Sequence, residues 1–224
     1  MQLRSKYIQK LEELDGTLTE LAEKSIADVR AAGRALAGEE GVADQVLAGN
    51  KAGHRLRNAI EDGCLDIMLM QQPLVADDLR EVSATFRVVS DLAHIDEMTR
   101  DVAYLSQQLT PKAVSHLEAE FADATERVAV MIETAMKAFN ESDLSLVQKV
   151  YEMDDAVDDL YDKAEQVIVD LIREGKSGAK HLPELLMVAK YFERMGDDAQ
   201  RIADWAHFRA TGEHAVHSRD EKQA

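Results

Sequence analysis

Two pairs of carboxylates, each spaced by one helical turn, carry the chemistry that this sequence offers. Asp154 and Asp158 stand four residues apart, and Glu193 and Asp197 repeat that spacing further along the chain. Residues four apart on a helix share one face, so each pair would point its oxygen atoms in one direction. If adjacent antiparallel helices brought both pairs together, four carboxylates would form a hard-oxygen site for a divalent or trivalent metal.

The surroundings of these acids distinguish them from the many other acids of the chain. Asp and Glu make up 43 of the 224 residues, so acid pairs at this spacing also arise by chance. Asp154, however, occupies a seam position between apolar residues, and Glu193 and Asp197 border the apolar seam of the next helix. A carboxylate near an apolar core is poorly solvated, so its charge must be neutralised by a proton or by a cation. Two interpretations remain open: a bound metal, or salt bridges with Arg194 or neighbouring lysines.

Six long helices are predicted to position these acids. Apolar residues recur in steps of three and four along six segments, and no strand-like alternation of useful length interrupts them. Pro73 and Pro111 suit the first turn of a new helix, and Thr110 and Ser142-Asp143 provide N-cap signals. The predicted boundaries between helices are Gly38–Gly41, Pro73, Thr110-Pro111, Ser142-Asp143 and Gly175–Gly178, and the second helix is predicted to run through Leu47.

The apolar stripe of the first helix changes in size along its length. Leucines dominate it as far as Leu21, and small residues follow at Ser25, Ala32 and Gly33. Small side chains allow two backbones to come close, so we expect a neighbouring helix to approach the first helix at these positions.

An internal repeat divides the chain into two halves. Residues 91–103 align without gaps with residues 191–203, and Glu97 pairs with Asp197 in that alignment. Each segment closes the third helix of its half, which supports a true repeat. The predicted units are two three-helix bundles at 1–109 and 110–212, followed by a polar tail at 213–224 that we expect to be mobile.

Bulk composition excludes several classes of partner and site. The formal net charge of -17 disfavours nucleic acid and anionic membrane surfaces, and it favours cations. The single cysteine, Cys64, excludes an intramolecular disulfide framework and a four-cysteine zinc site. The first residues are not those of a signal peptide, and no segment approaches the roughly 18 apolar residues of a membrane span. We therefore expect a cytoplasmic protein that is not integral to a membrane.

Four segments resemble the PhoU family of phosphate-signalling regulators. QQPLVADDLR resembles the family's QPxAxDLR segment with one extra residue after the proline, and MDDAVDDLYD resembles its D-xx-VD-xLY element. YFERMGDDAQRIADW resembles the ERIGDxxxNI motif, and FRATGEHAVH is similar to the family's C-terminal end. The segments lie in family order from the second helix to the end of the chain.

The resemblance implies a fold and a metal site. The implied fold is all-α, with two tandem antiparallel three-helix bundles related by pseudo-twofold symmetry. The implied metal ligands are acids on the second and third helices of a bundle, and the second bundle retains them as Asp154, Asp158, Glu193 and Asp197. The implied cofactor is iron or another divalent cation such as zinc, magnesium or manganese.

The first bundle departs from the family pattern. The departures are Asn50 and His54 in the second helix and Ala93, His94 and Asp96 in the third. Imidazole suits iron, zinc or nickel, so a different and weaker site is predicted from His54, His94, Glu97 and Asp101. The alternative is that both histidines are ordinary residues of a helix surface.

The resemblance also implies a function without catalysis. PhoU-like proteins restrain the phosphate ABC transporter and convey phosphate sufficiency to a sensor histidine kinase. The implied partners are therefore the ATPase subunit of that transporter and the kinase, both contacted through helix faces. A homodimer is compatible with this role.

Two other functions are weighed against the regulator. A metal-free helical adaptor explains the seams and the acidity, but not the acids on and beside the seams. A carboxylate-bridged metal enzyme would use Glu-x-x-His motifs on its bundle helices, and the sequence contains none. The cysteine and the scattered serines show no acid–base partner at a recognisable spacing. Metal content separates the adaptor from the regulator, and oxygen- or substrate-dependent turnover would reveal an enzyme.

Overall fold

The computed structural model describes residues 2–70, 76–175 and 179–215, and these residues form helices and short connections. The helices are α1 (Gln2–Leu36), α2 (Val42–Ala48), α3 (Asn50–Met70), α4 (Ala76–Ser106), α5 (Pro111–Val114), α6 (Glu118–Glu141), α7 (Leu144–Arg173) and α8 (Leu182–Thr211), with a 3₁₀ turn at Ala179–His181. Within the described ranges, none of the helices combines the length and the hydropathy that a membrane span needs.

The predicted all-α architecture of two tandem bundles is confirmed. Helices α1, α3 and α4 pack together as the first bundle, and α6, α7 and α8 pack together as the second. The bundles also pack on each other, because α1 lies against α6 and α4 lies against α8. Buried apolar side chains from both bundles join in one continuous core.

Several sequence signals for helix ends are confirmed. Gly38 and Gly41 adopt left-handed φ values of 89° and 76° in the connection between α1 and α2. The Asp143 carboxylate accepts a hydrogen bond from the backbone N–H of Ser145 at 2.9 Å, which caps α7. The Thr110 hydroxyl accepts one from the N–H of Ala113, ahead of a helix that begins at Pro111.

Two of the predicted helices are wrong in extent. The second helix is divided at Gly49, because α2 is a separate short helix whose buried side chains pack with alanines of α1 and with Ala103 of α4. The fourth helix is also divided: α5 lasts one turn, and α6 begins at Glu118. Leu117 precedes α6 with a non-helical φ of -133° and is fully buried, so packing of this residue accompanies the break.

Some predicted features lie partly or wholly outside the described residues. The Gln71–Pro73 boundary and the Lys176–Gly178 boundary fall there, as do residues 216–224 of the tail. The first residues of the tail lie back on α8. The backbone N–H of Ala215 donates to Asp204 Oδ1 at 2.7 Å, and His214 Nδ1 lies 2.6 Å from Asp204 Oδ2.

The close approach expected at the small residues of α1 is confirmed at Gly33. A methyl group added to Gly33 would overlap the side chain of Thr125 on α6. Thr125 is itself buried, and its hydroxyl donates to the carbonyl oxygen of Phe121 within α6. The missing side chain of Gly33 therefore sets the distance between the two bundles at this point.

Arg209 links four helices at one end of the inter-bundle contact. From α8, its Nη2 donates to Glu81 Oε1 of α4 at 2.6 Å, and its Nη1 donates to the carbonyl oxygen of Phe139 of α6 at 2.8 Å. The guanidinium also lies 4.6 Å from the centre of the Phe139 ring and 3.9 Å from Asp15 Oδ2 of α1. The planar guanidinium satisfies these groups together, which an ammonium could not do.

Gly33→Ala is expected to lower the free energy of unfolding by about 1–3 kcal/mol, because the new methyl group overpacks the α1–α6 contact. Gly16→Ala is the matched control on the same helix, since its Cβ would meet no atom within 4 Å. That control should stabilise the protein by about 0.5–1 kcal/mol through the loss of backbone entropy in the unfolded chain. Urea denaturation followed by circular dichroism measures both changes. Equal effects of the two substitutions would contradict the close approach.

Candidate metal centre

The four acids predicted to bind metal lie along the contact between α7 and α8. Asp154 is 4% exposed and comes from the buried face of α7. Its Oδ1 would lie 3.0 Å from a Cβ atom on Gly196 of α8. Because Gly196 has no side chain, the carboxylate can lie against the backbone of the neighbouring helix.

Glu193 has one oxygen paired and one oxygen buried without a partner. Lys190 Nζ donates to Glu193 Oε1 at 2.7 Å, so the predicted salt bridge with a neighbouring lysine is present. Arg194, the other predicted partner, is exposed and lines a cavity that Asp197 also borders. Glu193 Oε2 is buried and accepts no hydrogen bond from the described residues. A buried acceptor in this state is costly, and a cation would satisfy it.

The electrostatics of Asp197 connect acids from both helices. Burial raises the pKa of Asp197 above its ordinary value, and the negative charges of Glu193 and Asp158 raise it further. Arg201 and Lys190 oppose this rise without cancelling it. Carboxylates that disfavour one another's ionisation in this way gain from a bound cation.

The acids share this region without forming a closed coordination sphere. Among the described residues, the one trio of His, Cys, Asp or Glu whose ligand atoms lie within 4.8 Å of one another is Asp91, His94 and Asp198. No three of the predicted second-bundle acids therefore converge to that distance. Their oxygen donors and the unpaired Glu193 Oε2 fit a hard cation, and coordination would require side-chain rotation towards a common point.

The structure does not bring together the four residues of the weaker site predicted for the first bundle. His54 is exposed and lines a cavity of about 300 Å³ together with Glu97. His94 and Asp101 line a different cavity of about 520 Å³ between α4 and α8. Glu97 borders both cavities, so it lies between His54 on one side and His94 with Asp101 on the other.

The trio of Asp91, His94 and Asp198 was missed by sequence reasoning. Asp91 and Asp198 are 7% and 3% exposed, and both pair with the guanidinium of Arg201. Burial raises the pKa of Asp91, and the hydrogen bond from Arg201 opposes that rise. One signal for Asp198 was present, since it follows Met195 by three residues on the buried face of the last helix. With Arg201 in place, this cluster serves as an ion pair that joins α4 to α8.

A family model described as the PhoU domain matches residues 121–206, which include all four acids of the α7–α8 site. Relatives align along nearly the whole chain. The phosphate-specific transport system accessory protein PhoU homolog of Clostridium acetobutylicum is 28% identical over 93% of this chain and 96% of its own length. The PhoU homolog 1 of Mycobacterium tuberculosis is 27% identical over 94% of this chain and 95% of its own.

Two solved structures share the fold. The crystal structure of PhoU from Pseudomonas aeruginosa has a TM-score of 0.84 at 23% identity, covering 92% of this chain and 100% of that one. The phosphate transport system regulatory protein PhoU from Streptococcus pneumoniae has a TM-score of 0.84 at 21% identity, covering 94% and 100%. The domain match, the relatives aligned over both bundles and the shared architecture together make this chain similar to PhoU proteins over nearly its whole length.

Proposed function

We propose that this chain is an accessory protein of a phosphate-specific transport system, which restrains phosphate uptake and phosphate-responsive two-component signalling. The observation that carries the proposal is the extent of the similarity. Relatives named as accessory proteins of such a system match along 93–94% of this chain, across both bundles rather than the PhoU domain alone. A role that depends on the whole surface of the molecule is consistent with that extent.

The proposed mechanism is contact with other proteins rather than catalysis. The partners are the ATPase subunit of the phosphate ABC transporter and a sensor histidine kinase, reached from the cytoplasm. The net charge of -17 favours partner surfaces that are basic where they meet this chain. On α3, Leu65, Leu69 and Met70 are 52%, 72% and 45% exposed, and large exposed apolar side chains of this kind favour contact with another protein.

A metal in the second bundle is part of the proposal. Asp154, Asp158, Glu193 and Asp197 would hold iron or another divalent cation such as zinc, magnesium or manganese. When bound, the cation would neutralise the excess of acids and link α7 to α8. The buried and unpaired Glu193 Oε2 and the raised pKa of Asp197, caused by burial and neighbouring acids, support this assignment.

The double variant Asp154→Asn/Glu193→Gln is expected to lose a metal that the parent protein binds stoichiometrically. Elemental analysis of protein purified without an affinity tag measures this, and a thermal scan with added metal measures the linked stability. A metal at 100 times its dissociation constant should stabilise the parent by about 2.7 kcal/mol, with little effect on the variant.

A matched control for this experiment is Asp162→Asn/Glu165→Gln, which neutralises two exposed acids of α7. It should retain the metal. Equal metal content in the parent and in the Asp154/Glu193 variant would contradict the site. A parent without metal would support the metal-free adaptor, and turnover that depends on oxygen or substrate would support an enzyme.

Expression of this chain in a bacterium that lacks its own PhoU protein is expected to reduce phosphate uptake and to silence a phosphate-starvation reporter in phosphate-rich medium. Purified chain should also bind the purified ATPase subunit and the kinase in a sedimentation assay, which reports homodimer formation as well. A folded, abundant protein that changes neither uptake nor the reporter would argue against the regulatory role.

A further inference from the structure

In each bundle, a buried acid of one helix lies against a glycine of the neighbouring helix, but the helix that carries the acid differs between the bundles. In the second bundle, Gly196 belongs to α8 and faces Asp154 of α7. The repeat aligns Gly196 with Asp96 of α4, so in the first bundle the acid comes from the other helix of the pair. The glycine there is Gly53 of α3, whose Cβ would lie 3.3 Å from Asp96 Oδ2. Each bundle therefore holds one carboxylate at this level of its core.

In the first bundle, a lysine from the remaining helix reaches that carboxylate. Lys24 Nζ of α1 lies 3.0 Å from Asp96 Oδ1 and 2.5 Å from Asp28 Oδ2. The side chains of Lys24 and Asp96 are 16% and 11% exposed. A Cβ on Gly53 would lie 3.4 Å from Lys24 Nζ, so the bare glycine leaves room for the ammonium as well as for the acid. Helices α1, α3 and α4 thus converge on one enclosed cation.

Basic groups compensate the acids around Lys24 more fully than they compensate the acids of the second-bundle site. The other Asp96 oxygen, Oδ2, lies 3.5 Å from Arg100 Nε. The adjoining cavity of about 300 Å³ is bordered by Arg57 and Glu97 in addition to Asp96 and Arg100. Three basic groups, Lys24, Arg57 and Arg100, therefore face four acidic ones, because Glu61, which pairs with Arg57 at 2.7 Å, is counted with Asp28, Asp96 and Glu97. At the α7–α8 site, by contrast, two basic groups, Lys190 and Arg201, act on Asp197 beside a cluster of four acids.

The ammonium remains charged despite its burial. Burial alone would lower the pKa of Lys24, but hydrogen bonds to Asp28 and Asp96 outweigh that effect and raise the pKa above its ordinary value. Removing one member of a buried ion pair leaves its partners uncompensated. Two carboxylates left close together, with one of them bordering a cavity that has room for water, resemble the sites that Mg²⁺ and Mn²⁺ occupy with few protein ligands.

We propose that the Lys24 ammonium is the built-in cation of the first bundle, and that it occupies the position where Asp28 and Asp96 would otherwise bind a divalent metal. The difference in metal binding between the bundles rests on the metal proposed for the second bundle. Metal binding by the first bundle is measured independently of that site. On this basis, metal binding by the chain is confined to the second bundle, and Lys24 is the residue that confines it.

The test uses the full chain with the second-bundle site silenced by Asp154→Asn/Glu193→Gln, and Mn²⁺ as the probe. In that background, Lys24→Met is expected to gain one Mn²⁺ per chain in equilibrium dialysis, with at least a tenfold increase in affinity over the background. The melting temperature of the variant should rise with added Mn²⁺. Adding Asp96→Asn to Lys24→Met should abolish both effects.

Lys10→Met is the matched control, because Lys10 also lies on α1 and donates to an acid of α3, Asp66, at 2.9 Å. That pair is on the surface, with side chains 36% and 56% exposed, so its loss should create no Mn²⁺ site. If Lys24→Met folds poorly without metal, Lys24→Gln removes the charge at nearly the same length. Recovery of folding by Mn²⁺ in either variant supports the proposal.

Two results would overturn the proposal. One is stoichiometric Mn²⁺ binding in the silenced background with Lys24 intact, lost on Asp96→Asn. The other is a folded Lys24→Gln or Lys24→Met variant that binds no Mn²⁺. Failure of the second-bundle site would be recognised separately, as an absence of metal from the parent protein, and it would not change the outcome in the silenced background.

Discussion

Four long helices in close contact hold the two bundles together, with α1 against α6 and α4 against α8 around one apolar core. Gly33 lies so near Thr125 that even a methyl group would overlap it, and Arg209 ties α8 to α1, α4 and α6 at one end. Dense packing permits few alternative separations of these helices. The separation in turn brings Asp91 of α4 within reach of Arg201 of α8.

Buried acids are compensated in different ways along this framework. Asp96 meets an ammonium from its own bundle, and Asp91 meets the guanidinium of Arg201 from the other bundle. At the contact of α7 with α8, one oxygen of Glu193 is left without a partner among the described residues. A buried charge needs a counter-charge from a side chain, a proton or a metal. This requirement is the reason for proposing the metal in the second bundle rather than in the first.

The sequence by itself determined the helices, several of their ends and the positions of the key acids. Apolar periodicity gave the long helices, and Asp143 and Thr110 are local caps whose hydrogen bonds depend only on nearby backbone. Asp154 was recognisable as buried because it interrupts an apolar seam. The motifs also pointed to the PhoU family, because they are short stretches of consecutive residues that can be read from the sequence alone.

Tertiary structure alone decided the pairings between distant helices. Lys24 and Asp96 are 72 residues apart, and Asp91 and Arg201 are 110 apart, yet each pair is in contact. The separation of α2 from α3 follows from packing of α2 on α1 and α4 rather than from a local signal. Periodicity shows which face of a helix is buried, but not its rotation or height against a neighbour. Those two quantities determine which side chains meet, and they are set by the shape of the whole core.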